Sequence, residues 1–147
     1  MKKILVFMAA AAVVAMMAVS CGVVSFTGRK QLTFFPDSEI MALSEQSYAE
    51  LMKEEKVSSN AADAKLIKEV GTRMVSAMQE YMESSGQSST LEGLVWEFVL
   101  LESPQVNAFC MPSGKIVFYE GILEYADTPD YIAVVMGHEM ADRTSVV

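Results

Sequence analysis

The chain has 147 residues, of which 52% are hydrophobic and 20% charged, and its 11 basic and 19 acidic side chains give a formal charge of -8. This length accommodates one small domain. The acidic balance argues against a nucleic-acid partner, because binding to phosphates depends on clustered lysines and arginines. The chain has one histidine, His138, and two cysteines, Cys21 and Cys110. A metal site built from two histidines of this chain is therefore excluded.

The amino terminus has the order of an export signal. Lys2 and Lys3 precede an apolar run over residues 4–19, and small residues lead directly to Cys21. A positive start, an apolar run and a small-residue end are typical of a secretory signal, and the run is shorter than the roughly 20 residues that span a bilayer. The segment resembles a bacterial lipobox, in which cleavage leaves Cys21 as the first residue and the site of lipidation. An uncleaved anchor helix, or an ordinary signal with an incidental cysteine, is the alternative.

These features predict a lipoprotein signal peptide over residues 1–20 and a tether over residues 21–36. We expect a protein of the bacterial cell envelope, attached to a membrane through lipid on Cys21 and facing the periplasm. Residues 37–147 then form the folded part. With Cys21 lipidated, Cys110 has no disulfide partner, and it is interpreted as a small buried hydrophobe in a strand.

Two helices are predicted in the first half of the folded part. Pro36-Asp37-Ser38 gives the turn and cap chemistry that opens a helix running to about Lys56. A second helix is predicted from about Asp63 to Met82, where apolar residues recur at steps of three and four. We interpret its methionines as core packing rather than as a soft metal site. The predicted stripe consists of Leu66, Ile67, Val70, Met74, Met78 and Tyr81.

The second half of the chain changes to β character and then ends in a helix. Residues 95–100 alternate in the manner of a strand, and residues 106–111 and 115–119 flank the turn residues Pro112-Ser113-Gly114, so a hairpin or small sheet is expected. Thr128-Pro129-Asp130 combines an N-cap, a first-turn proline and an acid, and opens the last helix. The predicted fold class is α+β, with N-terminal helices, a small sheet and then a helix that carries His138 and Glu139.

That last helix holds the residues with the clearest chemical meaning. The zinc motif His-Glu-x-x-His places two imidazoles on one helical face, with the glutamate as general base. In this chain His138 and Glu139 occupy the first two places of that motif, and Asp142 stands where the second histidine belongs. A His-Glu pair alone is weak evidence, because a partly buried histidine on a capped helix is the commoner case.

The surrounding sequence resembles the zinc metallopeptidase family that includes the CAAX prenyl protease, HtpX and the BepA-like lipoprotein proteases, the forty-eighth metallopeptidase family. The resemblance extends over most of the residues after Cys21, and the order and intervals of its segments are more specific than any one of them. These segments are Thr27–Leu32, the helix from Asp37 to Leu51, Trp96–Phe98, Val106–Ile116, Gly121–Leu123 and Asp130 through His138–Ala141.

The resemblance implies a partial zincin-type peptidase domain that holds one Zn²⁺ and acts on polypeptides. It implies that His138 is the first zinc ligand and that Glu139 is the general base. It also implies that Asn107, Ala108 and Phe109 lie on an edge strand that aligns an extended substrate, a role with a physical basis because an edge strand offers unpaired backbone groups. An ordinary edge strand with a core phenylalanine is an almost equal alternative for these three residues.

The chain departs from the family pattern at position 142. The family has a histidine there and a glutamate on a later helix as third ligand, whereas this chain has Asp142 and ends at Val147. Aspartate can bind zinc, but catalytic sites normally have three protein ligands. We therefore expect a truncated and inactive metalloendopeptidase that binds zinc weakly or not at all. Residues 142–147 are interpreted as a tail unrelated to the family, produced by a frameshift, an incomplete gene or the boundary of an expressed fragment. The alternatives are a non-catalytic, membrane-tethered polypeptide-binding lipoprotein and a fragment that does not fold stably.

Overall fold

The computed structural model describes the backbone of Cys21–Val23, Lys30–Leu32 and residues 36–143, and the side chains of residues 36–143. The chain divides into two units, Met1–Pro36 and Asp37–Val147. In the first unit, strand β1 (Cys21–Val23) pairs antiparallel with strand β2 (Lys30–Leu32). The predicted signal peptide over residues 1–20 lies outside the described residues. Within the described part of the chain, no helix has both the length and the hydropathy needed to cross a bilayer.

The second unit confirms the predicted α+β class. Its described elements follow in the predicted order, with two helices first, three strands next and one helix last. They are α1 (Asp37–Glu54), α2 (Ala61–Ser84), β3 (Glu97–Leu101), β4 (Ala108–Cys110), β5 (Lys115–Tyr119) and α3 (Pro129–Asp142). Two short 3-10 helices, Ser88–Leu91 and Glu120–Glu124, connect them.

Side-chain caps fix the starts of α2 and α3. Asn60 accepts a hydrogen bond from the backbone N–H of Asp63 at 3.2 Å, and Thr128 accepts one from the N–H of Tyr131 at 3.3 Å. Pro129 follows Thr128 in the first turn of α3. Each cap satisfies an N–H that has no partner within its own helix. The predicted start of α3 at Thr128 and Pro129 is confirmed, whereas α2 begins at Ala61, two residues before the predicted Asp63.

The predicted apolar stripe of α2 is wrong at its carboxyl end. Tyr81 is 60% exposed, whereas Met82 is 1% exposed. A helix turns once in 3.6 residues. The apolar stripe therefore continues from Met78 by four residues, to Met82, rather than by three residues, to Tyr81. Met82 therefore faces inward and Tyr81 faces solvent.

The three strands form a mixed sheet in the order β3-β5-β4, with β3 parallel and β4 antiparallel to β5. The β4–β5 turn uses Gly114 at φ +93°, a conformation that suits a residue without Cβ. The outer side of β3 is partly occupied, because Val57 forms a bridge with Leu101. Among the described residues, no strand pairs with the outer side of β4. Within residues 36–143, one edge of the sheet is therefore open.

Helices pack on both faces of this sheet. On one face α2 and α3 meet the strands in a core that contains Ile67, Phe118 and Met136. On the other face Tyr48 of α1 packs against Leu101, in a smaller cluster with Val117 and Tyr119. Every residue of β5 is buried as a result. The open strand β4 thus lies directly beside α3, the helix that carries the predicted metal ligand.

Candidate metal centre

Helix α3 presents His138 and Asp142 on its outer face. Three inward residues at steps of four, Ile132, Met136 and Met140, are buried in the core and fix the rotation of the helix about its axis. The His138 side chain is 70% exposed and that of Asp142 is 56% exposed. The histidine is therefore not a packed core residue, and its imidazole is accessible to a ligand.

The two side chains lie one helical turn apart and touch. His138 Nε2 is 3.2 Å from Asp142 Oδ2. Zinc bonds to nitrogen and oxygen of about 2.0–2.2 Å place two neighbouring tetrahedral ligands roughly 3.3–3.6 Å apart. The pair thus has close to the spacing of two corners of a zinc site, although the same spacing also suits an ion pair between aspartate and a protonated histidine.

The donor set remains incomplete among residues 36–143. No group of three or more histidine, cysteine, aspartate or glutamate side chains in the described part of the chain is arranged to hold a metal ion. One imidazole and one carboxylate fit two corners of a zinc site, and a catalytic zinc normally needs a third protein donor. The described residues therefore fit zinc only in part.

Glu139 lies on the flank of α3, between the outer face and the sheet. Burial raises the pKa of its carboxyl; the negative charge of Asp142 adds to this shift, and His138 opposes it. The Glu139 carboxylate also lies close enough to Cys110 for its charge to raise the pKa of that thiol. Glu139 is therefore directed toward β4, whereas its neighbour His138 faces solvent.

The three residues predicted to align a substrate occupy different positions. Asn107 immediately precedes β4 and is exposed, and its carbonyl accepts a hydrogen bond from the N–H of Tyr119 at 3.1 Å. Ala108 is buried in the core on the α3 side. Phe109 points to the α1 side, where its ring lies 6.2 Å from that of Tyr119.

The register of β4 shows which backbone groups face the open edge. Asn107 and Met111 both bond to β5, since the N–H of Met111 donates to the carbonyl of Lys115 at 2.8 Å. Because bonding direction alternates along an antiparallel strand, Phe109 also faces β5, and the backbone groups of Ala108 and Cys110 face outward. Only Ala108 of the three predicted residues offers backbone to an added strand. The outward-facing backbone of Cys110 was not predicted. The turn at residues 112–114 could have indicated it, because the turn fixes which residues of β4 bond to β5 and which face outward.

Arg143 is a second residue that sequence reasoning missed, because it was assigned to an unrelated tail. Its side chain is buried, and Nη1 donates to the carbonyl oxygen of Pro112 at 3.1 Å. The guanidinium lies 5.6 Å from the centre of the Trp96 ring, and Nε has no hydrogen-bond partner among the described residues. Arg143 thus ties the end of α3 to the β4–β5 turn.

Comparison with known proteins shows the family of this chain. The profile of peptidase family M48 matches residues 68–144, which include α2 from Lys68 onward, the sheet of β3, β4 and β5, and α3. The chain belongs to peptidase family M48. This confirms the family that the sequence resemblance indicated. The matched residues include His138, Glu139 and Asp142 of α3.

Several curated relatives of this M48 chain share the name OMA1 with one another. The mitochondrial metalloendopeptidase OMA1 of Arabidopsis thaliana is 45% identical over 53 residues, which cover 36% of this chain and 11% of the plant protein. The Saccharomyces cerevisiae protein of that name is 35% identical over 65 residues, covering 43% and 19%. The Danio rerio metalloendopeptidase OMA1 is 25% identical over 118 residues, covering 78% and 23%. The M48 chain spans less than a quarter of the length of these relatives.

The names of these relatives contradict the predicted location. They are called mitochondrial and come from a plant, a yeast and a fish, so the prediction of a bacterial cell envelope is wrong. The predicted periplasmic exposure and the lipid anchor at Cys21 lose their support with it. The physical reason is that a positive start and an apolar run report affinity for a membrane but do not identify which membrane. The side chain of Cys21 lies outside the described residues.

Proposed function

We propose that this M48 chain carries the site of a zinc-dependent metalloendopeptidase, with His138 and Asp142 as metal donors, Glu139 as general base and polypeptides as substrates. One observation carries the proposal. His138 Nε2 and Asp142 Oδ2 lie 3.2 Å apart on the exposed face of the helix that packs beside an open strand edge.

The residues of the site have different chemical roles. A bound zinc ion would polarise the carbonyl of the peptide bond and activate water for attack. Glu139 is suited to accept the proton, because partial burial raises the pKa of its carboxyl and the side chain lies between the outer face of α3 and β4. His138 holds its donor nitrogen in solvent, where a metal can reach it.

A polypeptide would bind along the open edge of β4. The outward backbone groups of Ala108 and Cys110 would form strand-to-strand hydrogen bonds with an extended segment, which supply affinity that depends little on sequence. The side chain of Phe109 supports the strand from the opposite face through the contact with Tyr119. We therefore propose broad specificity for unfolded or extended segments.

With this donor set we expect weak zinc binding and weak or no cleavage. Carboxylate oxygen is a poorer zinc donor than imidazole nitrogen, and residues 36–143 supply no third donor beside the pair. The same deficit, together with the open edge of β4, favours a second candidate function. In that case the chain binds extended polypeptide without cleaving it.

Restoring the histidine tests the assignment of the metal site. We expect Asp142→His to bind zinc about tenfold tighter than the wild-type chain, equivalent to about 1.4 kcal/mol, measured by competition with a fluorescent zinc chelator. His138→Ala should remove the gain. Casein cleavage should be higher in Asp142→His than in the wild-type chain, and Glu139→Gln should abolish that increase without weakening zinc binding.

The matched control is Asp130→His, which adds an imidazole to the exposed first turn of the same helix. It lies eight residues from His138, or about 12 Å along the axis at 1.5 Å per residue, so the two imidazoles cannot share one ion. Equal zinc affinity of the Asp130→His and Asp142→His chains would refute the ligand pair. Tight one-to-one zinc in the wild-type chain, with cleavage that depends on Glu139, would refute the expected deficit.

A further inference from the structure

Gly121 lies where the chain leaves β5 and enters the 3-10 helix Glu120–Glu124. A Cβ at this position would lie 2.5 Å from the carbonyl carbon of Pro104 and 2.7 Å from the carbonyl oxygen of Gln105, and closer still to the oxygen of Pro104. These are backbone atoms, so no change of side-chain rotamer relieves the overlap. Only glycine, which has no Cβ, fits here without moving the loop that contains Pro104.

This loop delivers the chain into β4. The N–H of Gly121 donates to the carbonyl of Ser103 at 3.0 Å, and the N–H of Tyr119 donates to the carbonyl of Asn107 at 3.1 Å. Residue 103 is therefore bonded to Gly121 and residue 107 to Tyr119, the last residue of β5, and the backbone of Pro104 and Gln105 lies between them against Gly121. The next residue after Asn107 is Ala108, the first with backbone groups at the open edge.

We infer that Gly121 is a positioning residue for the open strand: by admitting the 103–107 loop against its Cα, it sets where the outward backbone groups of Ala108 and Cys110 lie beside α3. The inference rests on the proposed function, because the edge that Gly121 positions is the one proposed to bind polypeptide. It adds a specific residue, remote from the metal donors, on which that binding depends.

The Gly121→Ala variant displaces the loop. Ordinary van der Waals contact requires more than 3.4 Å, so the backbone of Pro104 must retreat by about 1 Å. Because the loop is short and bonded at residue 107, part of this displacement passes into Ala108. Misplacement by about 1 Å is enough to weaken a geometrically demanding interaction by a factor of ten or more.

The test uses the full chain and one named probe, fluorescein-labelled, reduced and carboxymethylated α-lactalbumin, with binding measured by anisotropy. Amide hydrogen exchange is measured in parallel. We expect Gly121→Ala to weaken binding of the probe about tenfold and to speed exchange in residues 103–110 about tenfold. Exchange in α2 should remain as in the wild-type chain.

Two further variants separate positioning from general loss of stability. Gly93→Ala is the matched control, since Gly93 has φ +78° with open space around it and its substitution strains the backbone away from the loop. In the Gly93→Ala chain, probe binding and hydrogen exchange in residues 103–110 should both remain as in the wild-type chain. Pro104→Gly is a milder variant that frees the same loop without adding an atom, and we expect both readouts to shift about threefold in the same direction.

Each outcome decides between the alternatives. Wild-type exchange in residues 103–110 of both the Gly121→Ala and the Pro104→Gly chains would overturn the inference, as would an equal rise of exchange in α2. If the wild-type chain fails to bind the probe while Gly121→Ala still speeds exchange locally, polypeptide binding at this edge fails and the positioning of the strand stands.

Discussion

The packing of α2 on the sheet can be tested at Gly71. This residue is buried in the middle of α2, and a Cβ there would lie 2.6 Å from Cζ of Phe98 and closer still to Cδ1 and Cε1 of the same ring. Phe98 lies on β3 and packs against the core beneath α2. The absence of a side chain at position 71 therefore sets how closely the helix approaches the strand.

Two opposing effects determine the stability of Gly71→Ala. Overpacking against the ring costs about 1–3 kcal/mol, whereas alanine in a helix interior is about 1 kcal/mol more favourable than glycine. The net expectation is a loss of about 0–2 kcal/mol. Phe98→Val removes all three of the crowded ring atoms and keeps a strand-forming residue. In that background the same Gly71→Ala change should stabilise the protein by about 1 kcal/mol.

The assay is urea denaturation of the wild-type chain, the two single variants and the double variant. Their m-values should agree, so that differences in midpoint report stability. The coupling between the two changes should be about 1–3 kcal/mol. An effect of Gly71→Ala that keeps the same sign and size in both backgrounds would show that Phe98 does not limit the approach of α2, and would refute the packing argument.

Two other predictions concern buried polar groups. Burial raises the pKa of Cys110 to about 12 from its ordinary value of 9.0, so stability is fully present below pH 9 and falls above it, as the unfolded chain ionises first, by up to about 1.4 kcal/mol per pH unit. Cys110→Ala should reduce the fall of the urea midpoint between about pH 8.5 and 9.5. In this range the tyrosines of the unfolded chain, with an ordinary pKa of 10.0, are still mostly protonated, so Tyr48 and Tyr119, whose pKa values folding also raises, contribute little to the slope. An unchanged slope would contradict this. Ser44→Ala should cost about 1–3 kcal/mol in thermal denaturation, because the Ser113 hydroxyl and N–H, at 2.8 and 3.1 Å from Ser44 Oγ, both lose their partner. Ser47→Ala, one turn away and exposed, is the control, and equal losses for the two variants would argue against the buried pair.

Local signals in the sequence predicted the elements well because their physical causes are local. The caps at Thr128 and Pro129 and the glycine turn at residues 112–114 involve atoms within a few residues of one another. The parallel pairing of β3 with β5 was not predicted, because it joins Glu97 to Lys115 across an intervening strand. Periodicity also placed Tyr81 in the core, where the neighbouring Met82 lies instead.

The site could be predicted only as far as its residues are neighbours in the chain. His138, Glu139 and Asp142 belong to one motif on one helix, and the structure brings His138 and Asp142 into contact. Arg143 was missed because its contacts with Pro112 and Trp96 join residues 31 or more positions apart. The role of Gly121 depends on its distance to the backbone of a different loop, which composition and spacing do not encode.

The open strand is held at both of its ends by residues outside it. At its start the 103–107 loop lies against Gly121, and at its end the carbonyl of Pro112 accepts a hydrogen bond from Arg143. Arg143 directly follows Asp142, so the anchor that fixes the strand to α3 is separate from the side chain that occupies the second donor position. Since Asp142 is exposed and contacts His138 on the outer face of α3, its replacement should change the proposed metal donors and leave the strand in place. The expected catalytic deficit therefore concerns the metal donors, and the edge proposed to bind polypeptide should be unaffected by it.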